Sequence, residues 1–593
     1  MDRDKIDSKY KWKLEDIYKN LDEYNKNIEA LAKMVTEFET YKDRILESDK
    51  TLLDTLLIYE KMDITISKLY VYINMKLHED TRNGEYQELS GNLDIILRII
   101  NEKTAFFVPE LLLKDYSYIE NLIKKNKELV RFEFLLKTIY DEKEHILSKD
   151  IEEILSRNGN VLSSADNIFS NLNDADIVFD KIKDENGKTK ELTKANYYVY
   201  SLSKDRSLRK RVFKTFYKKY AELNNTFASI MNSNLQSSTF LARTRNYKRP
   251  INLYLDSNKI DENIYYDLIK SVNDNLDKMA DYVKLRKEVL GYKNIHMYDM
   301  ALKLSDNNET EYTFEDAKEL VKKALSPLGD KYISDLSKGM EAGWIDVYEN
   351  KGKHSGAYSW GCYGTHPYVL LNFQGKYNDV STLAHEMGHA MHRYYSNLNQ
   401  DYFYSDNAIF VAEIASTVNE ALLNFYMLKN TKDKEFKKSI INEMLDDIKN
   451  TIFRQTMFAE FELNIHNMCF DGNAMSADTL NKMYYDLMCK YHKGVVVDDE
   501  IKYEWSRIPH FYSSFYVYKY ATGFISAIII VDNLKKDKNY KEKYLNFLKS
   551  GGSKYPLDIL KDADIDISDV NVMNRAFEIF NEKLNLLKKY IDE

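Results

Sequence analysis

Residues 381–395 read Ser-Thr-Leu-Ala-His385-Glu386-Met-Gly-His389-Ala-Met-His392-Arg-Tyr-Tyr395, and this stretch limits what the rest of the chain can build. Leu383, Ala384, Met387, Ala390 and Met391 recur with the period of a helix, and no Pro interrupts them. Four residues apart on a helix, His385 and His389 lie one above the other on the same face, where both imidazoles reach a single ion. Glu386 then sits beside that ion without binding it. Zinc in a hydrolytic site takes three protein ligands and leaves one position for water, whose pKa it lowers toward neutrality, so a neighbouring carboxylate can remove the proton. The pattern implies amide hydrolysis with one Zn2+ per chain. Among 593 residues with 11 His, it arises by chance in about one or two of a hundred chains, and the helical context favours the metal reading.

The third ligand decides the class. A metzincin helix would continue to a Gly and a third His, but those positions hold His392 and Tyr395. The thermolysin-like and M1-type aminopeptidase spacings would place a Glu at 409 or 408, where the chain has Ile409 and Ala408. Further on, residues 407–423 form a second helical segment carrying Glu413 and Glu420, two turns apart on one face. Glu413 is the expected third ligand, with Glu420 on the same side. His392, about 10 Å along the axis from His385, is expected to support or pack rather than to ligate.

Together, His385-Glu-Met-Gly-His389 and Phe410-Val-Ala-Glu413-Ile-Ala-Ser-Thr-Val-Asn-Glu420 resemble the thimet-oligopeptidase family of zinc metallopeptidases, and its oligoendopeptidase F branch in particular. The resemblance implies that Glu413 binds zinc and that Glu420 orients a ligating imidazole, which needs a partner on its other nitrogen. It also implies a mainly α, two-lobed zincin-type fold, with a deep substrate channel and a small β-sheet element beside the metal helix. The implied activity is cleavage of internal bonds in short peptides, because enclosing lobes would exclude folded proteins. Two other readings stay open: a peptidyl-dipeptidase or carboxypeptidase of the same fold, and a peptide-binding protein without turnover.

Composition bears on the same point. Only 6 Pro and 19 Gly occur, against roughly 30 and 40 at average usage, and long amphipathic stretches dominate, so the protein is expected to be mostly helical. A chain of this length exceeds one hydrophobic core. A net charge of -9 argues against nucleic acid or an anionic membrane surface as partner. Cys362, Cys469 and Cys489 are odd in number and widely spaced, as in a reducing compartment. The first ten residues lack the apolar core of a signal peptide, and the run Phe524 to Val531 is far below the ~20 residues that span a bilayer. A cytoplasmic location is expected.

Along the chain, residues 10–18 carry Trp12, Leu14, Asp16 and Tyr18 in an arrangement similar to the N-terminal signature of the same branch, or a short anchoring segment. Helical periodicity runs almost unbroken from about 20 to 170, for example Leu52, Leu53, Leu56, Leu57 and then Leu93, Ile96, Leu97, Ile100. Apolar alternation around Asn186-Gly187 predicts a β-hairpin. The expected division is a helical lobe over 1–175, a hairpin connector over 176–200 and a catalytic lobe over 201–593.

Five glycines between 352 and 375 and the apolar run 367–374 predict a loop and a strand ahead of the metal helix. By resemblance that strand would pair with the substrate backbone, with Gly364 and His366 as substrate contacts and His354 as a non-ligand. His466, Cys469, Cys489 and His492 match no zinc template. Last comes His510-Phe-Tyr512-Ser-Ser-Phe-Tyr516-Val-Tyr518-Lys-Tyr520. The family places a His and a Tyr group here to stabilise the oxyanion. His510 and Tyr518 are the expected pair, with Tyr512 and Tyr516 as further substrate contacts.

Overall fold

The structure is a computed structural model that describes residues 2–305 and 310–592. It is mainly helical, as the scarcity of Pro and Gly predicts. Three long helices open the chain: α1 (Leu21–Glu39), α2 (Asp49–Glu79) and α3 (Gly84–Thr104). Asn20, Ser48 and Asn83 cap them, each side chain accepting a backbone N–H of the first turn. The hairpin follows as β1 (Lys181–Lys183) and β2 (Thr189–Glu191), antiparallel, with Gly187 at a positive φ of 74° in its turn. A three-stranded sheet comprises β3 (Ile345–Asp346), β4 (Tyr358–Trp360) and β5 (Tyr368–Leu370), in the order β3-β5-β4. Then come α4 (Tyr377–Asn399), α5 (Ile409–Asn430), α6 (Arg454–Phe470), α7 (Tyr518–Lys536) and α8 (Tyr540–Ser550).

Two compact units emerge, each assembled from three separate stretches. One comprises Met1–Lys143, Glu309–Met427 and Ile530–Ile565; the other comprises Glu144–Asn308, Leu428–Ile529 and Asp566–Glu593. The contiguous division at 175 and 200 therefore follows chain order, whereas packing groups segments far apart in sequence.

In the first unit, Leu52, Leu53 and Leu56 of α2 and Leu93 and Ile100 of α3 are buried as the periodicity predicts, while Leu57 is left largely exposed. Trp12, Leu14 and Tyr18 belong to the same core, and the Trp12 indole donates to Glu79 over 2.8 Å. The N-terminal segment is thus an anchor of this unit. Strand β5 lies in the middle of the sheet, parallel to β3 and antiparallel to β4, and all three of its residues are buried. The strand expected to receive substrate already uses both of its edges. The edge strands are β3 and β4.

In the second unit, α6 supplies Glu462, a buried carboxyl whose Oε1 accepts the backbone N–H of Phe515 over 2.7 Å. Phe515 adopts φ 55°, and this contact holds the turn ahead of α7 in that uncommon conformation. No helix among the described residues is long and apolar enough to cross a membrane.

Candidate metal centre

Helices α4 and α5 are fastened by contacts that alternate in opposite senses. The Tyr377 phenol donates to Asn424 at 2.9 Å, and Asn419 Nδ2 donates to the carbonyl of Ala384 at 3.0 Å. Gly388 faces Ala415 and Ser416 so closely that a Cβ on it would lie 2.5 Å from the Ser416 Cα and 2.6 Å from the Ala415 oxygen. These pairings fix an antiparallel crossing that leaves position 413 opposite His385 and His389.

The result is a triangle of donors: His385 Nε2 to His389 Nε2 is 3.2 Å, His389 Nε2 to Glu413 Oε2 is 3.4 Å and His385 Nε2 to Glu413 Oε2 is 3.6 Å. Ligands about 2.0–2.1 Å from a tetrahedral ion stand about 3.4 Å apart. Two imidazole nitrogens and one carboxylate oxygen at these separations suit zinc in both geometry and donor chemistry. Among the described residues this is the one His, Cys, Asp or Glu group of three or more close enough to hold an ion, so His466, Cys469, Cys489 and His492 build no second centre.

Glu420 lies 3.2 Å from His385 Nδ1. It accepts a hydrogen bond from the N–H at that position and so turns the lone pair of Nε2 toward the triangle. Burial works against a charged His385, yet the Glu420 hydrogen bond and the carboxylates of Glu420, Glu386 and Glu413 outweigh it and hold the imidazolium up to about 9. The hydrogen bond to His389, opposed by burial, draws Glu413 below its ordinary value. Glu386 is buried, and that burial raises its carboxyl despite the opposing pull of His385 and His389. These directions have a measurable consequence. An ion must displace the proton on His385, so zinc uptake near neutral pH is expected to release about one proton per chain, with apparent affinity rising about tenfold per pH unit and levelling near pH 9. Calorimetry in buffers of different ionisation enthalpy measures this, and uptake without proton release would contradict it.

Other expected site residues are placed differently. His392 is buried against Phe547 at 5.1 Å between rings, and burial lowers it to about 3, which makes it a neutral packing residue. His366 is stacked on Trp344, bonds Asp16 through Nε2 at 3.1 Å and the Pro367 carbonyl through Nδ1, so it braces the loop and leaves no ring nitrogen for substrate. Gly364 occupies φ 81° and shapes the same loop. His354 is exposed and rests on His78.

In the second unit, Tyr518 has no exposed surface and packs on Tyr265, so the phenol expected to face a substrate points into the core. Tyr520, half-buried, lies with its hydroxyl 3.3 Å from His510 Nε2 and its ring beside Tyr516. Tyr512 stacks on Phe169 at 4.3 Å between rings. The sequence signal that separates Tyr520 from Tyr518 is weak: on a helix starting at residue 518, the two are about 200° apart. Which one faces inward depends on Tyr265, far upstream. Gly388, Ser416 and Asn419 were likewise silent in the sequence, because their role arises only where the two helices cross.

Comparison with known proteins places this arrangement. The model of Peptidase family M3 matches residues 168–579, and that of Oligopeptidase F matches residues 110–179. The chain is 39% identical to Oligopeptidase PepF of Bacillus subtilis, over 100% of this chain and 88% of that protein. It is 35% identical to Group B oligopeptidase PepB of Streptococcus agalactiae, over 99% and 98%. Among solved structures, oligoendopeptidase-F from Enterococcus faecium superposes with a TM-score of 0.76 at 31% identity, covering 96% of this chain and 98% of that one.

Proposed function

Because the chain belongs to Peptidase family M3, we propose that it hydrolyses internal bonds of short peptides with one zinc ion held by His385, His389 and Glu413. Zinc bound there would supply Lewis acidity, lowering the pKa of water and polarising the scissile carbonyl. The observation that carries this reading is the donor triangle with edges of 3.2–3.6 Å.

Glu386 is the general base. It follows His385 directly, and its burial raises its basicity toward the operating pH, where proton transfer in both directions is efficient. It accepts a proton from the attacking water and passes it to the departing amine nitrogen. Glu420 keeps His385 in the tautomer and orientation that ligation requires. The edge strand β4 offers its free backbone groups to an extended peptide, so that recognition rests on main-chain hydrogen bonds and tolerates varied sequences. In the second unit the hydrogen-bonded imidazole and phenol are those of His510 and Tyr520 rather than the expected His510 and Tyr518 pair. Three free cysteines fit a cytoplasmic setting.

A peptide of about ten residues, acetylated at one end and amidated at the other, tests the mode of attack. It is expected to be cut once or twice internally, giving fragments that mass spectrometry resolves. An enzyme that requires a free terminus would return it intact.

A further inference from the structure

Glu413 is the least confined of the three donors. Its side chain is 44% exposed, against 27% for His385 and 22% for His389, and its carboxylate stands at the end of a flexible stem whose rotamer freedom is costly to freeze. A carboxylate this open can offer a metal one oxygen or two. The difference bears on the reaction. One oxygen gives a hydrolytic zinc three protein donor atoms and leaves a position for water, whereas a second oxygen takes the space that water needs.

The restraint comes from Ser416. A Ser inside a helix turns its hydroxyl back to a carbonyl three or four residues earlier, and three residues before Ser416 stands Glu413 itself. Ser416 Oγ lies 2.8 Å from the Glu413 carbonyl oxygen and 3.3 Å from Glu413 Oε2. One hydroxyl thus bridges the main chain and the carboxylate of the same residue. Oε2 is also the oxygen that faces both imidazoles, at 3.4 and 3.6 Å. Each carboxylate oxygen accepts along two lone-pair directions, so Oε2 can meet a metal along one and the hydroxyl along the other.

The helix crossing shelters this clamp. Ser416 has no exposed surface, and Gly388 of the facing helix closes on its Cα, so bulk water does not compete for the hydroxyl. Among the described residues, Ser416 is the one hydrogen-bond partner of Glu413 outside the donor triangle. Glu420 reaches His385 instead. Resistance to the swing that would bring Oε1 alongside Oε2 therefore falls to this one hydroxyl.

We propose that Ser416 is a positioning residue that presents a single oxygen of Glu413, Oε2, to the metal and holds the other away, so that the remaining position stays open for water. The assignment rests on the reading of His385, His389 and Glu413 as the zinc ligands, and it gives a task to a side chain outside the donor set.

Cobalt replaces zinc in the test, because its visible d–d bands report coordination: a four-coordinate ion absorbs strongly, and added ligands weaken the bands. Wild-type protein with one Co2+ per chain is expected to show the intense bands of a four-coordinate ion. Ser416→Ala is expected to bind one Co2+ as well, with bands weakened toward those of a five-coordinate ion. Its zinc form is expected to lose about tenfold in kcat, the lower end of the range for groups that orient a metal ligand. Tyr377→Phe is the control. It removes the bond to Asn424 that fastens the same two helices, and is expected to lower Tm while leaving the cobalt bands as in the wild type. Thermal melting of the metal-free proteins establishes that each variant is folded. Five-coordinate bands already present in the wild type, unchanged bands in Ser416→Ala, or an equal change in Tyr377→Phe would overturn the assignment. Wild-type protein that takes up neither Co2+ nor Zn2+ at one per chain would instead overturn the zinc reading itself.

Discussion

Replacing Glu386 by Gln is expected to leave zinc content unchanged and to lower kcat by about 10²- to 10⁴-fold, the range of a positioned general base. The amide keeps the size and the buried placement of the carboxylate but cannot accept a proton, so the loss isolates proton transfer from packing. Because Glu386 does not belong to the donor triangle, metal analysis of the purified variant should match the wild type. Peptide affinity should be retained as well, which makes this variant a trap for substrate. Near wild-type turnover would remove Glu386 from its assigned role.

Gly388→Ala is expected to be almost as damaging through a different route. The added methyl carbon would meet the Ser416 Cα at 2.5 Å and the Ala415 oxygen at 2.6 Å, both rigid backbone positions on the facing helix. Helices α4 and α5 must then separate by roughly 1 Å to restore van der Waals contact. Two donors stand on one helix and the third on the other, so the separation stretches the triangle at Glu413 alone. A misplacement of that size costs about 100-fold in a site that depends on geometry. Zinc affinity is expected to fall by at least that factor, as measured by competition with a chromophoric chelator, and activity should return partly at high zinc. An unchanged zinc affinity would show that the close approach is not what places Glu413.

The sequence was most informative where structure is local. The His385 and His389 spacing declares a shared helix face, the Asn186-Gly187 turn declares its hairpin, and the leucines of α2 declare which side is buried. Glu413 was within reach because its helix carries two carboxylates on one face. Assignments failed where a residue's surroundings come from distant segments. Strand β5 reads like a substrate-pairing strand, but β4, just before it in the chain, and β3, further upstream, flank it on both sides. His366 looks available until Trp344 and Asp16 close on it. Between Tyr518 and Tyr520, two residues apart, local pattern carries little weight, and Tyr265 decides which one is buried.

The interleaved composition of the first unit bears on how the protein is made. The rear of α4 is covered by α8 through His392 against Phe547 and through a hydrogen bond from Gln400 to the carbonyl of Lys549, partners 149 residues apart. At about 5–20 residues per second, a ribosome needs roughly 7 to 30 s to cross that gap. Throughout that interval the helix bearing both histidines has left the exit tunnel with its apolar rear uncovered. A nascent chain therefore completes this unit only once its Ile530–Ile565 stretch has been made, and chaperones have a defined window in which to shield it.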